Sequence, residues 1–355
     1  MYIPKYSISS TILRNIGLVE AAREVIENAP LVPAWEAKFR DEARLRAVHY
    51  GTALEGNDLT FQQAKSLMEN RSEEVVAKDR DIQEVLNYRK VLDFIERQEK
   101  SLNYSVPILL QIHKLITDKI IPDEESGSFR HTQVVLRNSV TGEIGFRPPN
   151  SLDVPFLIDE FVRWLNGEYG RKEHSVIRAA ITHYVLAAIH PFTEGNGRTA
   201  RALATMVLFT EGYDIKRFFA LEEYFDTHAE DYFGSLMQVS NQSDKLEDRD
   251  LTIWLEVFTR ALAIELTRIK DKVRELSVDI KIKERQGRQV GLSERQMRLM
   301  EYLNAHGEMP MSAARNLLPM ISEDTILRDL RYLIDNGVIE KKGSTKAARY
   351  VLKNK

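Results

Sequence analysis

Twelve residues, His190-Pro-Phe-Thr-Glu-Gly-Asn-Gly-Arg-Thr-Ala-Arg201, lie between two apolar runs and constrain what this chain can build. Ile177–Ile189 before them is a breaker-free run dominated by Ala, Val, Leu and Ile, and Thr199–Phe209 after them is mostly apolar. These runs read as two largely buried helices, so the residues between them form a short loop fixed in a core. Gly195 and Gly197 adopt positive φ at little cost, and Asn196 is the non-glycine residue that best tolerates a strained turn. Successive amides in such a turn face one concavity, and the next helix adds its positive end, which makes an anion-binding nest. Arg198 and Arg201 share a helix face, and their guanidinium forks suit phosphate oxygens. Glu194 is the loop's only carboxylate and the natural ligand for Mg²⁺ shared with substrate phosphates. His190, stopped by Pro191, can take a proton from an incoming hydroxyl near neutral pH. No G-x-x-x-x-G-K-[ST] run occurs, which excludes the usual P-loop.

The same twelve residues resemble the signature of the Fic family, H-x-F-x-[DE]-G-N-G-R-x-x-R, with every fixed position met. The resemblance implies transfer of the AMP part of ATP to a Ser, Thr or Tyr hydroxyl of a target protein, and of the enzyme itself. It makes His190 the general base and Glu194 the Mg²⁺ ligand. Asn196 and the Gly195 and Gly197 amides would cradle the α- and β-phosphates, with Arg198 and Arg201 on the outer phosphates. Phe192 would anchor the loop in the core. Some family members use other nucleotides or phosphocholine, and the base-reading residues lie outside the motif.

Two further segments extend the resemblance. Residues 127–149 contain strand-like runs at Thr132–Arg137 and Glu143–Arg147 around a turn-rich Asn138–Gly142, ended by Pro148-Pro149. This hairpin is similar to the family's flap, which positions a target segment by strand addition, here along Thr132, Gln133, Val134, Val135 and Leu136. Upstream, Glu55-Gly56-Asn57 matches the glutamate of the inhibitory pattern [ST]-x-x-x-E-[GN], but Gly51 stands at the hydroxyl position and Thr52 follows it. By that resemblance Glu55 pairs with Arg201 and holds the enzyme at low activity.

The chain of 355 residues has no cysteine, which excludes disulfides, thiolate zinc sites and thiol nucleophiles. No apolar run approaches the length of a membrane span, and the reading is a cytoplasmic protein without membrane contact. Helical patterns over 10–30, 34–50, 60–70 and 75–98 give an N-terminal helical region, 1–105, that includes an inhibitory helix around Glu55. Val106–Ile120, Val154–Leu165, Ser175–Ile189, Arg198–Thr210, Glu222–Val239 and Leu251–Leu276 give a catalytic core at 106–276. The expected fold is mainly α, a Fic-type helical bundle with a β-hairpin flap.

Composition then changes. From Lys281 to Lys355 there are 15 Lys and Arg against 9 Asp and Glu, a net of +6, whereas the rest of the chain carries −9. After a linker at 277–291, residues 292–355 show a capping box at Ser293–Gln296, helices to His306, at Ser312–Leu318 and from Ser322, a stop at Gly337, and strands at Val338–Lys342 and Ala348–Leu352. Three helices and a hairpin resemble a winged helix-turn-helix domain. In a DNA-binding reading Thr325, Arg328 and Arg331 face the major groove, while Lys341, Lys342 and Lys346 reach phosphates. In the alternative reading the module binds protein, and a homodimer is compatible with both. The function classes are therefore an adenylyltransferase restrained by Glu55, a transcription regulator with a nucleotide-sensing domain, or an enzyme that removes AMP.

Overall fold

In the computed structural model of the protein, residues 2–29, 31, 33–98, 103–137, 144–276, 292–343 and 348–353 are described. The fold is mainly helical, and the chain divides into two units: Met1–Glu27 with Asp41–Lys270, and Asn28–Arg40 with Asp271–Lys355. Among the described residues, twelve α-helices run to residue 276: α1 (Ser10–Asn28), α2 (Pro33–Ala53), α3 (Phe61–Met68), α4 (Asp79–Glu96), α5 (Val106–Thr117), α6 (Val154–Asn166), α7 (Glu168–Lys172), α8 (Ser175–Ile189), α9 (Asn196–Thr210), α10 (Leu221–Thr227), α11 (Ala229–Ser240) and α12 (Thr252–Leu276).

The centre of the first unit is the α8–α9 pair, ringed by α4, α5, α6 and α11. Helix α8 is buried on every side, from Val176 to Leu186 and again at Ala188 and Ile189, which is why its sequence lacks a polar stripe. Trp254 of α12 donates from its indole to the Ala180 carbonyl at 2.7 Å and clamps α8 from outside. His183 of α8 stacks on that indole at 4.7 Å.

Local chemistry fixes the other boundaries. A Thr60–Gln63 capping box starts α3, and prolines in the first turn start α5 and α6. The helix expected over Glu222–Val239 is instead two, because His228 leaves helical geometry (φ −124°, ψ 43°) and stacks its ring on Tyr224 at 4.1 Å. The flap strands are also shorter than expected. Among the described residues, β1 (Leu136–Arg137) and β2 (Ile144–Phe146) pair, antiparallel, with Leu136 opposite Phe146. Pro148 and Pro149 lack ladder donors, so the Gln133 side chain takes up the Pro148 carbonyl at 3.0 Å and Thr132–Val135 runs unladdered. The expected turn Asn138–Gly142 and Glu143 lie outside the described residues, as does the linker 277–291.

In the second unit α13 (Glu294–His306), β3 (Glu308–Pro310), α14 (Met311–Leu317), α15 (Glu323–Asp335), β4 (Ile339–Lys342) and β5 (Arg349–Leu352) surround Leu299, Leu303, Met309, Ile326, Leu330, Leu333 and Tyr350. The sheet order is β3-β5-β4, all antiparallel. The sequence reading missed β3, an edge strand that can hold Pro310 because its outer side needs no donor. No helix among the described residues is long and apolar enough to cross a membrane.

Candidate active site

His190 ends α8 in the left-handed region (φ 51°, ψ 60°), its amide still donating to the Leu186 carbonyl at 2.9 Å. Its Nδ1 lies 3.3 Å from the Ala187 carbonyl. A proton on Nδ1 satisfies that contact and leaves Nε2 with a free lone pair, the form a base needs. Burial pushes the imidazole down to about 4, so it is neutral at physiological pH.

The loop that follows is held by three side chains. Phe192 is fully buried and lies flat against the His113 ring at 3.7 Å. Asn196 bridges the loop, accepting from the Phe192 amide and donating to the Phe192 carbonyl, both at 2.9 Å. His113 spans from the Gly127 amide on Nδ1 to the Glu194 carbonyl on Nε2, each at 3.0 Å. Gly195 has φ 75°, and a Cβ there would press on Ile116 and Thr117 at 3.2 Å, so the turn requires glycine twice over. Helix α9 starts at Asn196 with no side chain capping its first amides, which leaves donors for an anion.

Both loop arginines are buried, Arg198 and Arg201 being 3% and 2% exposed. Arg201 donates to the Glu55 carboxylate at 2.8 Å, to the Gly51 carbonyl at 2.9 Å and to the Tyr232 hydroxyl at 3.3 Å. Glu55 lies beyond the end of α2, in a turn closed by hydrogen bonds from Glu55 and Gly56 back to Thr52 and Ala53. A Cβ on Gly197 would fall 2.1 Å from the Glu55 carboxylate, so the carboxylate lies directly against the first turn of α9. Burial alone would raise the Glu55 carboxyl, but the Arg201 and Arg198 guanidiniums carry it below the ordinary range. Arg198 faces Glu84 of α4 at 3.1 Å and Glu194 at 3.5 Å. The Arg198 Nε and the Arg201 Nε nonetheless lack hydrogen-bond partners, while the Arg198 Nη1 has only its ion pair with Glu84, and buried donors left without a partner cost about 1–3 kcal/mol each. Phosphate oxygens would satisfy them.

Glu194 also pairs with Arg80 of α4. No group of three or more His, Asp or Glu residues suited to a metal occurs among the described residues. One carboxylate beside free phosphate donors fits Mg²⁺ held jointly with a polyphosphate, and does not fit an all-protein metal cage. Beside the loop lies a cavity of about 160 Å³ lined by Phe146, Tyr184, Tyr232, Phe233 and Met237, with Glu55, His190 and Gly197 at its edge.

The structure thus brings His190, Glu194, Gly195, Asn196, Gly197, Arg198, Arg201 and Glu55 together. Thr132, Gln133 and Val135 of the flap are exposed and Val134 is half-buried. In the second unit Arg328, Arg331, Lys341 and Lys342 are exposed, whereas the Thr325 hydroxyl is bonded to Ser322 at 2.9 Å as part of a helix cap. Lys346 lies outside the described residues. Sequence reasoning missed His113, Glu84, Arg80, Arg130 and Tyr232. Arg130 gave a signal in the segment Gly127–Arg130 ahead of the flap, and Tyr232 in the Fic-like segment Tyr232–Leu236, but neither was given a role.

Residues 103–208 match the Fic/DOC family. This chain carries a Fic domain. Protein adenylyltransferase Fic of Drosophila ananassae is 28% identical over 201 residues, 56% of this chain and 39% of that protein. The Drosophila melanogaster protein of the same name is 32% identical over 177 residues, 50% of this chain and 34% of its own. The match therefore spans little more than a third of these relatives' length. A Fic family protein from Desulfovibrio desulfuricans superposes with a TM-score of 0.67 at 23% identity, covering 100% of this chain and 99% of that one. A Fic-domain signaling protein from Bacteroides thetaiotaomicron gives 0.62 at 23% identity, covering 79% and 100%. At these identities the likeness establishes the fold.

The Fic domain's neutral histidines, the buried His113 and the half-buried His190, have a cost in acid. Burial also pushes the His113 imidazole down to about 4, against about 6.5 in an unfolded chain. Between those values the unfolded state binds more protons, so stability is full above pH 6.5 and falls as pH drops towards 4. Urea midpoints should be lower at pH 5 than at pH 7, with a smaller gap in His113→Gln. An unchanged gap would reject the assignment.

Proposed function

We propose that the protein is an adenylyltransferase that moves AMP from ATP to a hydroxyl side chain of a target protein. The observation that carries this reading is the set of unpartnered buried guanidinium donors on Arg198 and Arg201, beside uncapped α9 amides and the free Nε2 of His190. Polyphosphate fits the first two and a hydroxyl nucleophile fits the third. His190 Nε2 takes the hydroxyl proton as the oxygen bonds to the α-phosphorus. The bond from that phosphorus to the bridging oxygen breaks, and pyrophosphate leaves. Arg198 and Arg201 neutralise the charge that builds on the outer phosphates, a positioning and electrostatic contribution. Mg²⁺ held by Glu194 would supply charge neutralisation of the same phosphates. The aromatic cavity beside the loop suits a flat nucleobase, and the exposed flap edge suits an extended target segment.

The test uses the Glu55→Gly variant, because Glu55 occupies the nest in the free protein. It is incubated with Mg²⁺ and each nucleoside triphosphate labelled at the α- or γ-phosphate. Protein label from α-labelled ATP alone is expected. Incorporation from the γ-position would replace the reading with a kinase-like one.

For the second unit the exposed Lys341 and Lys342 on β4 favour contact with DNA phosphates, and the exposed Arg328 and Arg331 on α15 favour the major groove. Retention on a DNA column should fall steeply between 50 and 200 mM salt. No retention at the lower salt would leave protein binding as this unit's role.

A further inference from the structure

Arg130 lies between α5 and the flap and is 2% exposed. A charge so deeply buried is kept only where its donors are well used, and every partner it has is a backbone carbonyl. Its Nε donates to the His190 carbonyl at 2.8 Å, and its backbone amide donates to the Pro191 carbonyl at 2.9 Å. Nη1 reaches Thr132 at 3.1 Å, where the flap begins, and Nη2 reaches Pro149 at 2.5 Å, where it ends. Nη2 also lies 3.5 Å from the Ile189 carbonyl. The last carbonyls of α8 have no partner within the helix, and its negative end attracts a cation. Arg130 meets both needs, and its spare donors close the base of the flap. A planar fork with five N–H groups can span these acceptors, whereas an ammonium cannot.

We propose that Arg130 is a positioning residue for the transfer reaction: one guanidinium sets the distance between the flap that presents the target hydroxyl and the left-handed His190 that deprotonates it. The inference rests on the adenylyltransferase reading above. It predicts damage to the chemical step and to target docking, with nucleotide binding spared, because no Arg130 donor points to the phosphate nest. A displacement of about 1 Å at a reacting group costs on the order of 100-fold in rate. The Arg130 charge also lowers the His190 pKa, so its loss moves that titration upward.

Arg130→Met and Arg130→Lys are made in the Glu55→Gly background. Self-labelling kcat, the nucleotide Kd and the ¹⁵N imidazole titration of His190, assigned by its loss in His190→Ala, are measured for each. Both variants should lose about 100-fold in kcat with Kd within about threefold of the parent. Arg130→Met alone should raise the His190 pKa, since Arg130→Lys keeps the charge. Unchanged kcat, or equal losses in kcat and nucleotide affinity, would overturn the proposal. If the parent labels nothing, the adenylyltransferase reading is what has failed. The titration then still decides whether Arg130 governs His190, and an unmoved His190 in a folded Arg130→Met rejects it. Should Arg130→Met fail to fold, the kcat and Kd of Arg130→Lys decide alone.

Discussion

Glu55→Gly is expected to raise self-labelling with α-labelled ATP on the order of 10- to 100-fold. That corresponds to about 1.4–2.8 kcal/mol, within the usual range of a coupling free energy. The carboxylate is 2.8 Å from a guanidinium that is itself 2% exposed, so Arg201 cannot serve a γ-phosphate while the pair holds. The same change leaves Arg201 with only the Gly51 carbonyl and the Tyr232 hydroxyl, and an undercompensated buried charge destabilises. The variant should therefore melt below the wild type without nucleotide and regain part of the loss with ATP, whereas the wild type responds little. Label that does not rise would sink the inhibitory role. Faster loss of AMP from a labelled target with Glu55 present than with glycine there would make Glu55 the residue that orients a hydrolytic water.

His190→Ala, made in the Glu55→Gly background, should lower transfer by roughly 10²- to 10⁴-fold, the usual contribution of a positioned base. Nucleotide affinity measured by calorimetry should hold, because the phosphate donors lie on Arg198, Arg201 and the start of α9. Undiminished label in the variant would overturn the base assignment. The pH dependence gives an independent view. A base held at about 4 is already deprotonated at pH 5.5, so the rate should stay level from pH 8 to 5.5. Removing Glu55 removes an influence that raises the His190 pKa, which moves the acid limb further down. A limb centred near 6.5 would mean that the imidazole is hydrated rather than buried.

Much of the site could be read before any coordinates because its parts are contiguous. His190 to Arg201 is one loop, and the apolar runs on either side announced the two buried helices that carry it. Glu55 was legible only through resemblance, since one carboxylate among 53 acidic residues has no pattern of its own. His113, Glu84 and Arg130 act across 60 or more positions of sequence. His113 sits in an apolar helix as a packed residue would, and nothing local marks it as the strut beneath Phe192. The errors in the fold have equally local causes. A three-residue edge strand ending in Pro310 is too short for periodicity to register. The break at His228 depends on a ring finding Tyr224 one turn back, a choice that helix propensity does not encode.

Gly51 departs from the hydroxyl that the inhibitory pattern asks for, and its surroundings say why. A Cβ there would lie 2.9 Å from the Tyr88 ring, whose hydroxyl is bonded to the buried Glu222 at 2.9 Å. Arg201 instead takes the Gly51 main-chain oxygen, while Thr52 turns its hydroxyl back onto Val48 and His49. A contact made by the peptide itself leaves no trace in the side-chain alphabet. Sequence searches that demand Ser or Thr four places before the glutamate will therefore pass over chains whose clasp is built of backbone, and this chain is one of them.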